Sequence, residues 1–230
     1  MKVAAVTDPG KMRTRNEDSC GSKDNIFVVA DGMGGHQAGE IASSTAVDQI
    51  LLGYRPDMTD DEIKDLLIRT NHEILRLARS DTQFNGMGTT LSLMVLKNGS
   101  YHLWHVGDSR IYVFKGRRLL QLTSDHSVVG ELMRQGSITE NEAMLHPQRN
   151  VLTRALGTDR ELKIETGEGP AAPGDVFMLC TDGLSGVVAH AEMENILNTD
   201  SSLGKKAEKL VELANKQGGP DNITVMLVMV

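Results

Sequence analysis

The 230-residue chain carries 24 Lys and Arg against 31 Asp and Glu, a formal net charge of −7, and its length suits one domain with room for a real core. An acidic chain with no basic block excludes electrostatic capture of nucleic acid or of an anionic membrane, and no run approaches the roughly 18 apolar residues needed to span a bilayer. Hydrophobic residues at 40% and charged residues at 24% are ordinary for a globular protein, and 12 Met supply the packing volume that only 3% aromatics leave unfilled.

From the N-terminus, MKVAAVTDPG is too poor in apolar residues for a signal peptide, so a reduced, cytoplasmic protein is expected. Apolar runs at residues 3–6 and 26–30 predict buried strands that end close to aspartates. After the glycine-rich DGMGGHQAG, residues 40–50 read as helix. Thr59 and Glu62 form a capping box ahead of Ile63, Leu66, Leu67, Thr70, Ile74 and Leu77 at helical spacing.

The middle third changes to short β-type runs at 89–96, 101–106, 111–114 and 119–122. Asn98-Gly99, Gly107-Asp108 and Lys115-Gly116 punctuate these runs and predict an antiparallel meander. Residues 126–150 mix short helical signals, including a capping box at Thr139 and Glu142. Strands follow at 162–166, 176–179 and 223–230, with a helix at Leu203–Lys216 between the last two. Helices among many antiparallel strands predict an α+β protein whose sheets are covered by helices. Cys20 and Cys180 stand in no CxxC or Cys/His spacing, so neither a disulfide framework nor zinc is expected.

The carboxylates fall at strand ends. Asp31 follows IFVVA, Asp108 follows LWHV and a glycine, Asp182 follows VFMLCT, and Asp221 immediately precedes NITVMLV. A lone Asp-Gly after a strand is usually a turn; four such sites, each beside glycine and joined to an apolar strand, point to one shared sheet edge. Carboxylates gathered there repel by on the order of several kcal/mol unless protons or cations compensate. Hard divalent cations with oxygen ligands, Mg²⁺ or Mn²⁺, are the natural compensation.

These residues sit within eight motifs in series. They are RTRNED at 13–18, DGMGGH at 31–36, GTT at 88–90, GDSR at 107–110, LTSDH at 122–126, NVLTRALG at 150–157, CTDGL at 180–184 and GGPDNIT at 218–224. In order and spacing they resemble the metal-dependent serine/threonine protein phosphatases of type 2C, in the short bacterial form. The resemblance spans nearly the whole chain and implies a single catalytic domain over residues 1–230, folded as a four-layer α-β-β-α sandwich. It implies that Asp31 bridges two Mn²⁺ or Mg²⁺ ions with the Gly32 carbonyl completing one shell, and that Asp182 and Asp221 hold the first ion. Glu17 or Asp18 matches the acid near the second ion, Asp108 a ligand of a third, weaker ion shared with Asp182, and Arg13 the group that grips the substrate phosphate.

The resemblance further implies attack by a metal-activated water, a phosphorylated protein as substrate, and a bacterial Ser/Thr kinase or its targets as the opposing partner, with a monomer as the default. The acid for the leaving group stays open. Larger members place a histidine directly after Asp-Gly, where Met33 stands here. His36, three residues on, either reaches the site, or is replaced by a metal-bound water, or only holds the loop. Residues 126–150 match the family's flap, where Met133, Arg134, Met144 and His146 are candidates to meet a phosphoprotein. Bland readings win elsewhere: Thr89 and Thr90 fill a strand near the metals, Asp125 and His126 fix a loop rather than place a hydrogen bond under the site, Trp104 is core, and Asn222 and Ser109 orient their neighbours or form turns. Two competing functions remain, a catalytically silent phosphatase-like binding module and a two-metal nuclease, the latter without a basic groove.

Overall fold

The computed structural model describes residues 1–35 and 38–230, without the side chains of Glu140, Asn141 and Met144. In chain order the elements are β1 (Lys2–Asp8), β2 (Asp18–Lys23), β3 (Ile26–Met33), α1 (Ala38–Gly53), α2 (Asp60–Ser80), β4 (Gly88–Thr89), β5 (Leu91–Lys97), β6 (Ser100–Val106), β7 (Arg110–Lys115), β8 (Arg118–Gln121), α3 (Val128–Arg134), α4 (Glu140–Leu145), β9 (Glu165–Pro170), β10 (Val176–Cys180), α5 (Asp182–Ser185), α6 (His190–Leu197), α7 (Leu203–Lys216) and β11 (Ile223–Met229). They build a five-stranded sheet ordered β1-β11-β10-β7-β8 and a six-stranded sheet ordered β2-β3-β5-β6-β9, with β4 added to β3. Every named pairing is antiparallel.

The central strands are apolar without a break because both of their faces are buried. Alternate residues therefore serve different cores. Phe27, Val29, Met94, Ile111, Phe177, Leu179, Met226 and Val228 fill the space between the two sheets. Their neighbours Ile26, Val28, Ala30, Leu91, Leu93 and Val95 face a second core with residues of α1 and α2. Met178, Cys180, Ile223, Val225 and Leu227 face a third with Leu210, Val211 and Ala214 of α7. Helix, sheet, sheet and helix follow one another as the expected α-β-β-α sandwich. Both expected capping boxes, at Thr59 and Thr139, are formed.

Three local readings are corrected. The expected meander is not one sheet: β5 and β6 pair in the larger sheet, while β7 and β8 belong to the smaller. The chain crosses between sheets at Gly107-Asp108-Ser109, where Gly107 takes φ +107° and a Cβ would come 2.6 Å from Thr90 Cγ2. Second, the run at 89–96 breaks at Thr90 into β4 and β5, because the Thr90 hydroxyl accepts from the Asp31 N–H at 2.9 Å. Third, the strand expected at 162–166 is displaced to β9, whose Gly167 and Gly169 pair with Leu103 and Tyr101. A Cβ at Gly169 would come 2.7 Å from the Tyr101 hydroxyl, so a glycine-rich edge strand exists to seat a neighbour's large side chains, and apolar content does not reveal it. The polar edge strand β2 has no apolar signal at all.

Candidate active site

The ends of β3, β6 and β10 and the start of β11 meet at one edge of the sandwich. Arg13, Glu17, Asp31, Gly32, Asp108, Asp182 and Asp221 line a pocket of about 220 Å³ there. Every expected ligand position but Asp18 is on that lining, and Asp18 is buried next to it as the partner of Asp31 across β2 and β3. His36 lies outside the described residues.

Hydroxyl and amide groups hold Asp31 and Glu17 by their backbones, leaving those two carboxylates to face the pocket. The Asp31 N–H donates to Thr90 Oγ1, and its carbonyl accepts from the Thr90 N–H and Thr89 Oγ1, all at 2.9 Å. The Gly32 N–H donates to Glu17 O at 3.0 Å, and a Cβ on Gly32 would collide with the carbonyls of Gly39 and Glu17; only glycine fits between them. Asn222 ties the N-terminal loop down. Its Oδ1 accepts from the Glu17 N–H at 2.8 Å, and its Nδ2 donates to Pro9 O at 3.0 Å and Arg15 O at 2.7 Å. That loop carries Arg13, whose Nη2 donates to Asp221 Oδ2 at 2.9 Å.

Asp18 is anchored by threonines. Its Oδ2 accepts from Thr181 Oγ1 at 2.9 Å and Thr224 Oγ1 at 2.7 Å. Sequence reasoning missed both threonines; the available signal was a Thr immediately before Asp182 and another within the strand that Asp221 precedes. Thr89 and Thr90, expected to fill a strand, also hold the Asp31 backbone.

The crowding of acids shows in their protonation. Burial, reinforced by Asp18, Asp182, Asp108 and Asp221, pushes the Asp31 carboxyl well above its ordinary value. Burial and Asp182 do the same to Asp108, with Asp125 adding to them and Arg110 opposing. Asp182 is raised by burial and then by Asp221, and Glu17 by burial against the pull of Arg13. Asp18 is pushed up to about 7, chiefly by burial, with its two threonine hydrogen bonds opposing. Two oxygens, Asp18 Oδ1 and Asp182 Oδ1, are buried with no hydrogen-bond partner. Raised carboxyls and orphaned oxygens, in a donor set made of oxygen alone, fit hard divalent cations such as Mg²⁺ or Mn²⁺.

A larger cavity of about 660 Å³ adjoins this pocket and shares Arg13, Asp108, Asn150, Asp182 and Asp221 with it. Its outer wall includes Val129, Met133, Arg134 and Arg149 of the expected flap. His146 is not on that wall; it ends α4 and accepts from the Gln148 N–H at 3.1 Å. The Met144 side chain lies outside the described residues.

A family profile for protein phosphatase 2C matches residues 11–227. The chain belongs to the protein phosphatase 2C family. It is 43% identical over 234 residues to the serine/threonine phosphatase stp of Listeria monocytogenes, covering 96% of this chain and 93% of that one. It is 37% identical over 239 residues to protein phosphatase PhpP of Streptococcus pneumoniae, covering 99% and 97%. Among solved structures, the Mycobacterium tuberculosis phosphatase PstP/Ppp superposes with a TM-score of 0.93 at 34% identity, covering 100% of this chain and 98% of that one. A PstP catalytic domain in complex with two manganese ions gives a TM-score of 0.89 at 33% identity, covering 98% and 96%. The phosphatase is accordingly a serine/threonine protein phosphatase of the 2C type. Among its described residues no helix is long and apolar enough to cross a membrane.

Proposed function

We propose that this phosphatase hydrolyses phosphoserine and phosphothreonine in proteins by direct attack of water, with two Mn²⁺ or Mg²⁺ ions held by Asp31, Gly32, Asp182 and Asp221, and that it opposes a bacterial Ser/Thr kinase. Glu17 on the pocket lining, or the buried Asp18, supplies the acid near the second ion, and Asp108 offers a ligand for a further ion shared with Asp182. When bound, such ions lower the pKa of the attacking water and neutralise charge on the phosphoryl oxygens. Asp31, Asp182 and Asp221 supply the negative charge that retains them. The Arg13 guanidinium, half-exposed at the pocket rim, presents a planar fork suited to two phosphate oxygens.

The observation that carries the reading is the convergence of these acids on one pocket with two buried carboxylate oxygens unpartnered. The pocket's described lining contains no Cys, His or Ser. Its one hydroxyl, on Thr90, accepts from the Asp31 N–H and shares a 2.6 Å hydrogen bond with Ser109. That lining supports water over a thiol, imidazole or free hydroxyl of the protein as the nucleophile, with the carboxylates engaged in retaining the cations.

The test is hydrolysis of para-nitrophenyl phosphate and a phosphothreonine peptide with EDTA, Mg²⁺ or Mn²⁺, in wild type and Asp31→Asn. Turnover restored by metal and absent in the variant supports the reading. Metal-independent turnover, or full activity in the variant, overturns it.

A further inference from the structure

The turn that presents Asp108 is gripped on both flanks by one dipeptide, Asp125-His126. On the N-terminal side the His126 backbone N–H donates to Gly107 O at 2.7 Å, and the Gly107 N–H donates to His126 Nδ1 at 3.2 Å. On the C-terminal side Arg110 forks onto Asp125, Nε to Oδ1 at 2.9 Å and Nη2 to Oδ2 at 2.7 Å. The His126 ring is buried at 1% exposure and stacks on His105, whose Nε2 also reaches Gly107 O at 3.0 Å.

The partners of His126 fix its tautomer. A backbone N–H can only donate, so Nδ1 must carry the lone pair and Nε2 the proton. Nε2 faces Glu165 Oε2 at 3.1 Å, and Glu165 is itself held by the Ser124 N–H at 3.1 Å. Arg154 Nη1, 3.3 Å from Nε2, would suit the opposite tautomer, but that one sets Nδ1–H against the Gly107 N–H. Glu165 and Gly107 together outweigh it. Because the nitrogens of both histidines are taken by these contacts and by Ser92 and Leu91, the cluster of His105, His126 and Glu165 is a brace and not a metal site of its own.

We propose that His126, oriented by Glu165 and acting with Asp125, is a positioning residue for Asp108 and so sets the affinity of the weakest cation site. This rests on the reading that Asp108 helps to hold a cation. The same residue begins the flap: Ser127 caps α3, and the Thr153 N–H donates to His126 O at 2.8 Å. The base of the flap and the Asp108 turn therefore share one anchor.

The test is calorimetric titration of the full chain with Mn²⁺, using wild type, Asp108→Asn, His126→Ala, His126→Asn and Glu165→Gln. Wild type is expected to bind a weaker ion beyond the tight pair, and Asp108→Asn to lose it. His126→Ala should weaken that ion by about tenfold or more, the usual effect of removing a group that orients a ligand, and leave the tight ions unchanged. His126→Asn, whose Oδ1 takes over the Gly107 N–H, should recover most of the loss. Glu165→Gln offers one acceptor oxygen where the carboxylate offers two to the Ser124 N–H and Nε2–H, so it should shift the weaker ion towards the alanine variant. Nitrogen-15 spectra of the metal-free wild type should show the Nε2–H tautomer of His126, and Glu165→Gln should shift that N–H resonance.

Wild-type affinity for the weaker ion in His126→Ala, or an Nδ1–H tautomer in wild type, overturns the assignment. If His126→Ala melts out in EDTA, Glu165→Gln decides by the same comparison. Binding and turnover in wild type with unaltered variants overturn this assignment alone, whereas no Mn²⁺ binding in wild type overturns the proposed mechanism and this assignment with it.

Discussion

Asp18 and Asp31 are direct partners across the β2–β3 ladder, so two carboxylates stand opposite each other on one face of a strand pair. Like charges in that position destabilise a sheet. The ladder runs unbroken from Lys23 opposite Ile26 to Asp18 opposite Asp31, so the same register that buries Phe27 and Val29 between the sheets enforces the repulsion. The fold holds together a cluster that the metal-free protein is expected to find costly.

That cost has a pH signature. Burial first, and then the charges of Asp182 and Asp221, raise the Asp18 carboxyl from 3.8 to about 7 in the folded chain, so between those values the folded state binds more protons than the unfolded one. Stability from this group is present at low pH and is lost as pH rises through about 7, on the order of 4 kcal/mol for the full shift. His105 acts in the opposite sense: burial lowers it from 6.5 to about 4, so its neutral folded form loses stability as pH falls through that window. Asp18→Asn leaves His105 in place. In EDTA, the difference between the melting curves of wild type and Asp18→Asn should therefore favour the variant increasingly from pH 5 to pH 8. Parallel curves would refute the burial of a repelled Asp18 carboxylate.

Metal should reverse the penalty. A ligand that binds only the folded state stabilises it by about 2.7 kcal/mol at a hundred times its Kd. Mn²⁺ should raise the wild-type melting temperature and leave Asp31→Asn and Asp182→Asn unmoved. Those variants should lose activity by about a thousandfold or more. Their metal-free stability should nonetheless equal or exceed wild type, because each removes one like charge from the cluster. Calorimetric melts with and without Mn²⁺, beside steady-state rates, check both halves; a destabilised, metal-free Asp31→Asn would contradict the second.

The central strands were legible because both of their faces are buried, and α2 and α7 because their apolar residues repeat at helical spacing. The acids of the site were legible because strand ends deliver them. What stayed hidden depends on neighbours distant in sequence. The polar β2 owes its place to pairing with β3, the glycines of β9 to the side chains of Tyr101 and Leu103, and the sheet crossing at Gly107 to contact with Thr90. The threonines around Asp18 and Asp31 are equally opaque, since a hydroxyl in a strand does not announce which carboxylate it will meet.

Arg13 and Asp221 form an ion pair with the arginine side chain 52% exposed, so its loss should change stability by less than about 1 kcal/mol. Its effect belongs to substrate binding. Arg13→Ala should raise KM for a phosphothreonine peptide by about tenfold, corresponding to about 1.4 kcal/mol, with a smaller change in kcat. Arg13→Lys keeps the charge but not the fork and should fall between the two. A fall in kcat at constant KM would place the guanidinium at the transition state alone.

Asn222 is on the lining of neither cavity, yet it should share the phenotype of Arg13. The residue is 5% exposed and its side chain bonds Pro9, Arg15 and Glu17, so Asn222→Ala removes hydrogen bonds to one backbone N–H and two carbonyls. Each such bond contributes about 0.5–1.5 kcal/mol net. For a chain of this size each kcal/mol lowers the melting temperature by about 2–4 °C. The loop it releases is the one that carries Arg13, so KM for the phosphopeptide should rise as it does in Arg13→Ala. Two substitutions acting through one guanidinium cannot add. The double variant should therefore show the KM of Arg13→Ala with the melting temperature of Asn222→Ala. A multiplied KM would mean that Asn222 positions something in the pocket other than Arg13, and Glu17, whose N–H it holds at 2.8 Å, would be the residue to substitute next.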